Sequence, residues 1–304
     1  MLNQTVKILK AISKSAGNFF HNKCERGTPE TRRDEITNKT EIVKPISIHL
    51  PKHLKPANNT EFGHYLAGLI DGAGHFSSKQ QLVIVFKLSD IQLAFYIKKQ
   101  LGYGTIRKVK DKNAVILIVA SPKGIEFAIN LINGKFRTTS KFDQITNRIL
   151  AHSRYVDYSK NISLSLNTSN NLENHWLAGF SDADASFQIK KVVINRYHKT
   201  ELRLNYQIDQ KKNYLLKLIK SFLGGNIGYR ENQDTYCYGS TSFGSAKKVI
   251  NYFDQYHMLS TKHINFIKWR KAYILIQNKK HLNELGLKKI IKIKETMKSE
   301  TYSV

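Results

Sequence analysis

The sequence predicts an α+β protein built from two similar halves, each with the element order αββαββα. Three observations support this fold class. The segment His64–Phe76 recurs as His175–Phe187, at an offset of 111 residues. After each copy, the apolar pattern alternates between strand-like and helical periodicity in the same order. The composition, 41% hydrophobic and 24% charged, is that of a globular chain and excludes wholesale disorder or a collagen-like repeat. Hairpins separated by helices indicate antiparallel sheets and the α+β class.

The elements of the first half follow from runs of apolar residues bounded by turn residues. The repeated segment itself is helical in pattern. After it we predict a strand at Gln81–Leu88, a helix at Ile91–Leu101, a strand at Ala114–Ala120 and a helix at Lys123–Asn133. The second half repeats this order, with strands at Leu202–Ile208 and Thr235–Ser240 and helices at Asn213–Leu223 and Ser245–Tyr256. Gly102 and Gly224 suit the C-terminal ends of the helices that they follow.

The halves predict a domain organisation of five segments. We expect an N-terminal extension at 1–58, a first half at 59–152, a linker at 153–174, a second half at 175–275 and a basic tail at 276–304. The start of the extension has lysines and no acid, which fits either an organelle-targeting helix or a basic solvated segment. For the tail, the simplest interpretation is a helix that packs apolar residues inward and exposes its lysines, while contact with nucleic acid or an anionic membrane is the alternative.

The charge indicates a polyanionic partner. The chain has 49 Lys and Arg against 23 Asp and Glu, a net charge of +26, and nucleic acid is the usual partner of such a protein. Two cysteines exclude a disulfide framework and a four-cysteine zinc site. No run of about 18 apolar residues exists, so we expect neither a membrane-spanning helix nor a membrane partner.

The repeated helices have small residues one turn apart. In the first copy these are Gly68 and Gly72, and in the second Gly179 and Ala183. Small faces let two helix backbones approach closely, so we predict that the helices pair and that their C-terminal ends converge. Asp184 lies at such an end, among exposed carbonyl oxygens. This arrangement suits a hard cation such as Mg²⁺.

Leu66–Gly74 and Leu177–Ala185 resemble the two motifs of the LAGLIDADG homing endonucleases in their two-motif, monomeric form. The resemblance covers about residues 61–275. It implies paired LAGLIDADG helices between two pseudo-symmetric halves, whose antiparallel, saddle-shaped sheets straddle DNA. It also implies that the eighth motif residue, an acid, binds catalytic Mg²⁺ and that each DNA strand is hydrolysed.

Carried over residue by residue, the resemblance makes Asp184 the metal-binding, catalytic carboxylate of the second motif. The eighth residue of the first motif is Ala73, which cannot ligate a metal, so this position is degenerate. Asp71 lies two positions earlier, about 200° around the helix, and does not replace it. We assign Asp71 and Asp182, the sixth motif residues, to helix capping and interface packing.

The resemblance implies further site residues. Gln210 occupies the strand position near the active-site water, and Lys141 and Lys262 match basic residues that flank the reaction centre, although each lysine is equally a solvated cation. A β-ribbon fits the major groove and presents alternate side chains to the bases. We predict nucleic-acid contacts from polar and basic residues of the hairpins: Gln188, Lys190, Arg196, Lys199, Arg203, Asn205, Gln207, Arg107, Lys108 and Lys110.

Three functions remain open at this stage. The first is a site-specific, Mg²⁺-dependent DNA endonuclease acting in intron homing, with activity impaired at Ala73. The second is an RNA maturase that binds its host group I intron, and the third is a non-catalytic RNA-binding protein. The partner is accordingly a double-stranded DNA target or the host intron RNA, bound by a monomer. Usage rich in Lys, Ile and Asn is typical of an AT-rich organellar genome, and we predict a mitochondrion rather than a chloroplast.

Overall fold

The computed structural model describes residues 44–194 and 199–302. Most of the predicted N-terminal extension lies outside these residues, as does Arg196. Among the described helices, none has the combination of length and apolar composition that crossing a membrane requires.

The first half has the predicted order of elements. They are α1 (Asn59–Ala73), β1 (Gly74–Phe76), β2 (Leu82–Lys87), α2 (Ile91–Leu101), β3 (Thr105–Lys108), β4 (Ala114–Val119) and α3 (Pro122–Ile132). The four strands form an antiparallel sheet in the order β1-β2-β4-β3. In β2 and β4 the pairing runs from Leu82 opposite Val119 to Lys87 opposite Ala114.

The second half follows after two short helices, α4 (Thr139–Ile145) and α5 (Val156–Asn161). Its elements are α6 (Trp176–Asp184), β5 (Ala185–Ile194), β6 (Lys199–Gln210), α7 (Tyr214–Leu223), β7 (Asn226–Arg230), β8 (Thr235–Gly239) and α8 (Phe243–Gln255). The strands form a second antiparallel sheet in the order β5-β6-β8-β7. Two further helices complete the chain, α9 (Lys262–Gln277) and α10 (Glu284–Tyr302). The predicted α+β class and element order are therefore confirmed.

Local sequence explains several helix ends. Asn58 caps α1, because its side chain accepts a hydrogen bond from the Glu61 amide at 2.9 Å while the Glu61 carboxylate accepts one from the Ala57 amide at 2.8 Å. Gly102 and Gly224 follow α2 and α7 with φ of 71° and 74°, positive values that glycine adopts without strain. Both helices therefore end where the sequence predicts.

Three helices were not predicted from the sequence, α4, α5 and α9. The predicted linker is also not wholly irregular, since it contains α5, and Tyr155 and Leu172 within it are buried. The C-terminal tail is largely helical as α10, with Ile290 buried and Leu285 exposed. The second hairpin is longer than the first, as β5 and β6 have 10 and 12 residues against 3 and 6 in β1 and β2.

The described residues form two compact units. The first unit contains Pro51–Phe187, Tyr252–Lys268 and the segment from Glu295, and so includes α1, α6 and the first sheet. The second unit contains Gln188–Asn251, Trp269–Lys294 and the segment that ends at Leu50. Each has its own buried aromatic side chains: Tyr65, Phe76, Trp176 and Phe180 in the first, and Tyr206, Tyr238, Trp269 and Tyr273 in the second.

Candidate functional site

The repeated helices α1 and α6 pack directly on each other within the first unit. A Cβ atom at Gly68 would overlap the carbonyl oxygen of Trp176, and a Cβ atom at Gly179 would overlap the carbonyl oxygen of Tyr65. The two contacts are equivalent, because Gly68 and Gly179, like Tyr65 and Trp176, are 111 positions apart. Backbone is in contact with backbone at both crossings, so only glycine fits there.

The C-terminal ends of the two helices also meet. A Cβ atom at Gly72 would overlap the Cβ atom of Ala183 and would lie 3.1 Å from a carboxylate oxygen of Asp184. The small residues Gly68, Gly72, Gly179 and Ala183 thus lie at helix–helix contacts. Ala73, the last residue of α1, follows Gly72 directly and contributes a half-buried methyl group at this end.

Asp71 is buried and accepts hydrogen bonds from Trp176 of α6 and from the loop that precedes α4. Its Oδ2 accepts from the Arg137 amide at 2.8 Å and from the indole Nε1 of Trp176 at 2.9 Å. Its Oδ1 accepts from the amide of Thr138, at 3.2 Å, and from the Thr138 hydroxyl. Burial raises the pKa of Asp71, and the bonds from Thr138, Arg137 and Trp176 oppose this shift.

Asp182 has the equivalent set of partners. Its Oδ2 accepts from the Tyr65 hydroxyl at 2.5 Å and from the Leu259 amide at 2.7 Å. Its Oδ1 accepts from the Ser260 amide at 3.2 Å and from the Ser260 hydroxyl. Burial raises the pKa of Asp182, with the bonds from Ser260 and Tyr65 opposing.

These bonds join α1 and α6 reciprocally. Tyr65 of α1 donates to Asp182 of α6. Trp176 of α6 donates to Asp71 of α1. The same carboxylates hold the loops that lead into α4 and α9. Interface packing by Asp71 and Asp182 therefore involves specific hydrogen bonds as well as close contact.

Lys262 lies against the C-terminal end of α6. Its ammonium group donates to the carbonyl oxygens of Ser181, at 3.1 Å, and Ala183, at 2.8 Å. A cation is favoured at this end of a helix, where unsatisfied carbonyl groups are exposed. Burial lowers the pKa of Lys262 to about 8, while the charges of Asp184 and Asp182 raise it.

Lys141 shares the electrostatic environment of Asp184. Burial lowers the pKa of Lys141, and the charges of Asp71 and Asp184 oppose that shift. Asp184 is half-buried at the end of α6 and interacts electrostatically with both Lys141 and Lys262. Three of the predicted catalytic residues therefore belong to one neighbourhood of the first unit.

The remaining predicted catalytic residue, Gln210, belongs to the second unit. It is the last residue of β6 and pairs in register with Tyr236 of β8. In the first half, Asp90 lies beyond the end of β2, and its carboxylate accepts a hydrogen bond from the Thr261 amide at 2.8 Å. Asp90 thus holds the loop that precedes Lys262.

The predicted nucleic-acid contacts of the second sheet form a polar row. Alternate residues of β6 point to one face, where the Asn205 amide nitrogen lies 3.2 Å from Gln207 Oε1 and the Gln207 amide nitrogen lies 3.1 Å from Asp209 Oδ1. Gln188 of β5 adds a contact to Gln207 at 3.4 Å. Arg203 pairs with Glu201 at 2.7 Å on the same face. Amide and guanidinium groups are suited to base-edge hydrogen bonds. Gln188 and Arg203 are half-buried, but Asn205 and Gln207 are buried, because their side chains face neighbouring polar groups of the sheet, so these two are not placed to contact a base.

The other predicted contact residues differ in exposure. Lys190 is exposed on β5, and the backbone of Lys199 begins β6. Arg107, Lys108 and Lys110 are exposed on β3 and the turn after it. A polar groove of about 410 Å³ adjoins β3, and its lining includes Lys79, Gln81, Thr105 and Arg107.

Sequence reasoning did not identify the hydrogen-bond donors to Asp71 and Asp182. Tyr65 and Trp176 carried a usable signal, because they occupy equivalent positions of the repeat. Thr138 lies three residues before Lys141, whereas Ser260 lies two residues before Lys262. When the two halves are aligned by these lysines, Thr138 and Ser260 therefore do not coincide, and their equivalence is hidden.

Comparison with known proteins adds family evidence to this geometry. A family model described as LAGLIDADG endonuclease matches residues 177–273. The chain is 67% identical over 287 residues to an uncharacterized cox1 intron-2 protein of 37.2 kDa from Schizosaccharomyces pombe, covering 94% of this chain and 85% of the relative. It is 30% identical over 270 residues to the intron-encoded DNA endonuclease aI3 of Saccharomyces cerevisiae, covering 73% of this chain and 65% of the relative.

A further relative is the intron-encoded RNA maturase bI4 of Saccharomyces cerevisiae, 26% identical over 187 residues, which are 59% of this chain and 27% of the relative. Among solved structures, the LAGLIDADG homing endonuclease I-GzeII in complex with its DNA target matches with a TM-score of 0.61. That match has 22% identity and covers 77% of this chain and 97% of the other, which shows a shared fold.

Proposed function

Because the chain belongs to the LAGLIDADG endonuclease family, we propose that it is an intron-encoded protein that recognises a double-stranded DNA site and hydrolyses it inefficiently. The observation that carries this proposal is the meeting of α1 and α6 at their C-terminal ends. Asp184 lies there beside Gly72 and interacts electrostatically with Lys141 and Lys262, whereas the corresponding residue of the first motif is Ala73. The second motif therefore supplies its acid, Asp184, to the hydrolytic centre, whereas the first motif supplies none.

The residues present fit a divalent cation on one side only. Asp184 offers a hard carboxylate at a helix end, the type of ligand that Mg²⁺ prefers. Ala73 offers none, and Lys262 already occupies the carbonyl oxygens of Ser181 and Ala183. Bound there, Mg²⁺ would supply an activated water and stabilise the leaving oxygen.

The chain's own lysines have a defined part in this proposal. Lys141 and Lys262 hold positive charge beside Asp184, where they stabilise charge that develops on a phosphate during hydrolysis. The ammonium group of Lys262 is held in place by the carbonyl oxygens of Ser181 and Ala183. Gln210 belongs to the second unit, and a role for it near the active-site water stays a prediction from the sequence.

Binding is proposed to use the two sheets. Gln188 and Arg203, both half-buried on the second sheet, offer amide and guanidinium groups for base edges. Arg107, Lys108 and Lys110 are exposed and offer positive charge for the DNA backbone. One chain supplies both motif helices, so we propose a monomer. We propose action in the mitochondrion, because the relative of 67% identity is named for a cox1 intron.

An RNA maturase is the second candidate, and two observations favour it. Ala73 stands at a position where double-strand cleavage needs an acid. In addition, one relative is named an intron-encoded RNA maturase. The net charge of +26 suits RNA as well as DNA.

The experiment compares cleavage and splicing by the full chain with Mg²⁺. Substrates are DNA of the intron-less host allele and the host intron RNA. We expect DNA binding with slow nicking by the unaltered chain, and double-strand cleavage by Ala73→Asp. Asp184→Asn should abolish cutting, while Asp157→Asn, the same change at an exposed acid, should not.

Efficient double-strand cutting by the unaltered chain would show that Ala73 does not occupy a metal position. If Ala73→Asp cuts no cognate DNA while the chain binds the intron RNA tightly and promotes splicing, the maturase is the correct function.

A further inference from the structure

Three histidines lie together in the first unit, apart from the residues of the proposed hydrolytic centre. His53 precedes α1, His257 follows α8, and His263 is in the first turn of α9. Ring nitrogens of the three lie within 4.8 Å of one another. The ring centroid of His53 is 4.3 Å from that of His263 and 5.1 Å from that of His257.

The polar atoms of this cluster are incompletely satisfied within the described part of the chain. The Nδ1 atoms of His257 and His263 are buried and have no hydrogen-bond partner there. Such atoms are costly unless a ligand or water pairs with them. Edge-to-face packing of the rings accounts for their proximity but leaves these two nitrogens unpaired.

His53 has the contact that a metal-binding histidine commonly makes. Its Nε2 lies 2.8 Å from the carbonyl oxygen of Met258, which fixes the ring and leaves Nδ1 for a metal. The unpaired Nδ1 atoms of His257 and His263 leave each ring with a nitrogen that a metal can bind.

We propose that His53, His257 and His263 form a binding site for Zn²⁺ or a similar borderline transition metal. Zinc–nitrogen bonds of about 2.0–2.1 Å place tetrahedral ligands roughly 3.4 Å apart, a modest closure from 4.8 Å that side-chain rotation supplies. Three imidazoles select zinc over Mg²⁺, which prefers oxygen ligands. The side chain of His53 is exposed, so water takes the fourth position.

The metal has a structural role in this proposal. It joins the segment before α1 to the loop between α8 and α9. That loop carries Ser260, which binds Asp182, and it leads into Lys262, the first residue of α9, which binds the end of α6. Metal binding therefore stabilises the packing of the motif helices without entering the hydrolytic chemistry.

The test uses the full chain without a polyhistidine tag, stripped with chelator and kept in excess Mg²⁺ to occupy the carboxylate site. Zn²⁺ is titrated by calorimetry, and thermal unfolding is followed with and without Zn²⁺. We expect one equivalent of Zn²⁺ to bind and to raise the unfolding temperature. Co²⁺ in its place should give the absorption spectrum of a tetrahedral site.

The informative variant is His53→Gln, because His53 is exposed and its replacement leaves the core intact. We expect Zn²⁺ affinity to fall at least about 100-fold, since losing even an outer-shell partner of a zinc ligand costs roughly 10–100-fold. His49→Gln, another exposed histidine, should bind as the unaltered chain does. Absence of Zn²⁺ uptake by the unaltered chain, or equal uptake by His53→Gln, would overturn the proposal. Neither result depends on DNA or RNA activity.

Discussion

Replacing Asp182 by asparagine changes one buried oxygen to an amide nitrogen with almost no change in shape. Each carboxylate oxygen of Asp182 accepts one backbone N–H and one hydroxyl. An asparagine keeps one oxygen and presents one NH₂ group in place of the other carboxylate oxygen. The hydroxyl of Tyr65 or Ser260 can rotate to accept from that NH₂, but the backbone amide beside it cannot. One buried N–H is therefore left without an acceptor in either orientation of the amide.

An unsatisfied buried donor costs about 1–3 kcal/mol, and bonds to a neutral acceptor are roughly half as strong as bonds to a carboxylate. Relief of the desolvated charge offsets part of this loss, consistent with the raised pKa of Asp182. We expect Asp182→Asn to lower the free energy of unfolding by about 2–4 kcal/mol.

Urea denaturation of the full chain, followed by circular dichroism, measures this effect. Asp71→Asn should cost about the same, because Asp71 also accepts one backbone N–H at each oxygen. The exposed control Asp157→Asn should change stability by no more than about 0.5 kcal/mol. A cost for Asp182→Asn as small as that of the control would refute the hydrogen-bond argument.

Three further predictions concern the interface, pH and salt. Gly179→Ala should lower the unfolding free energy by about 1–3 kcal/mol in urea denaturation, because the added Cβ overlaps the Tyr65 carbonyl oxygen. Gly244→Ala, with nothing within 4 Å of the added Cβ, is the control, and an equal effect would contradict close packing. Burial lowers the pKa of His64 and His75 from 6.5 to about 4. Between these values the unfolded chain binds more protons, so the unfolding temperature should fall as pH falls from about 6.5 to about 4. His75→Phe should weaken this dependence, and an unchanged profile would count against it. DNA affinity should fall steeply with salt, with a log–log slope of about −0.9 for each phosphate contact. A DNA affinity that does not change with salt concentration in a binding titration would argue against electrostatic contacts with the DNA backbone.

Much of the fold was predictable because local signals and tertiary packing agree. Ile91–Leu101 was predicted to its last residue, since helical apolar spacing stops where Gly102 takes a positive φ. α4 and α9 were missed for a physical reason. Their first turns are positioned by hydrogen bonds from Thr138 and Ser260 to carboxylates far away in sequence, which no local pattern reveals.

The candidate site was predictable to a different degree for each part. The motif alone indicated that Asp184 lies at a helix end and that small residues lie at the helix contact, and both placements hold. The reciprocal bonds of Tyr65 and Trp176 depend on how the helices cross. Periodicity gives the face of a helix that is buried, but the partner of each polar atom follows from the crossing geometry.

The loop between α8 and α9 has a consequence for hydrogen exchange and for tolerance of insertions. The amides of Leu259, Ser260 and Thr261 all donate to buried carboxylates, two to Asp182 and one to Asp90. Their protons should exchange with solvent on the timescale of helix interiors, because exchange requires these acids to release them. Inserted residues would separate donors that share one acceptor, so this connection should reject insertions that an ordinary surface loop accepts.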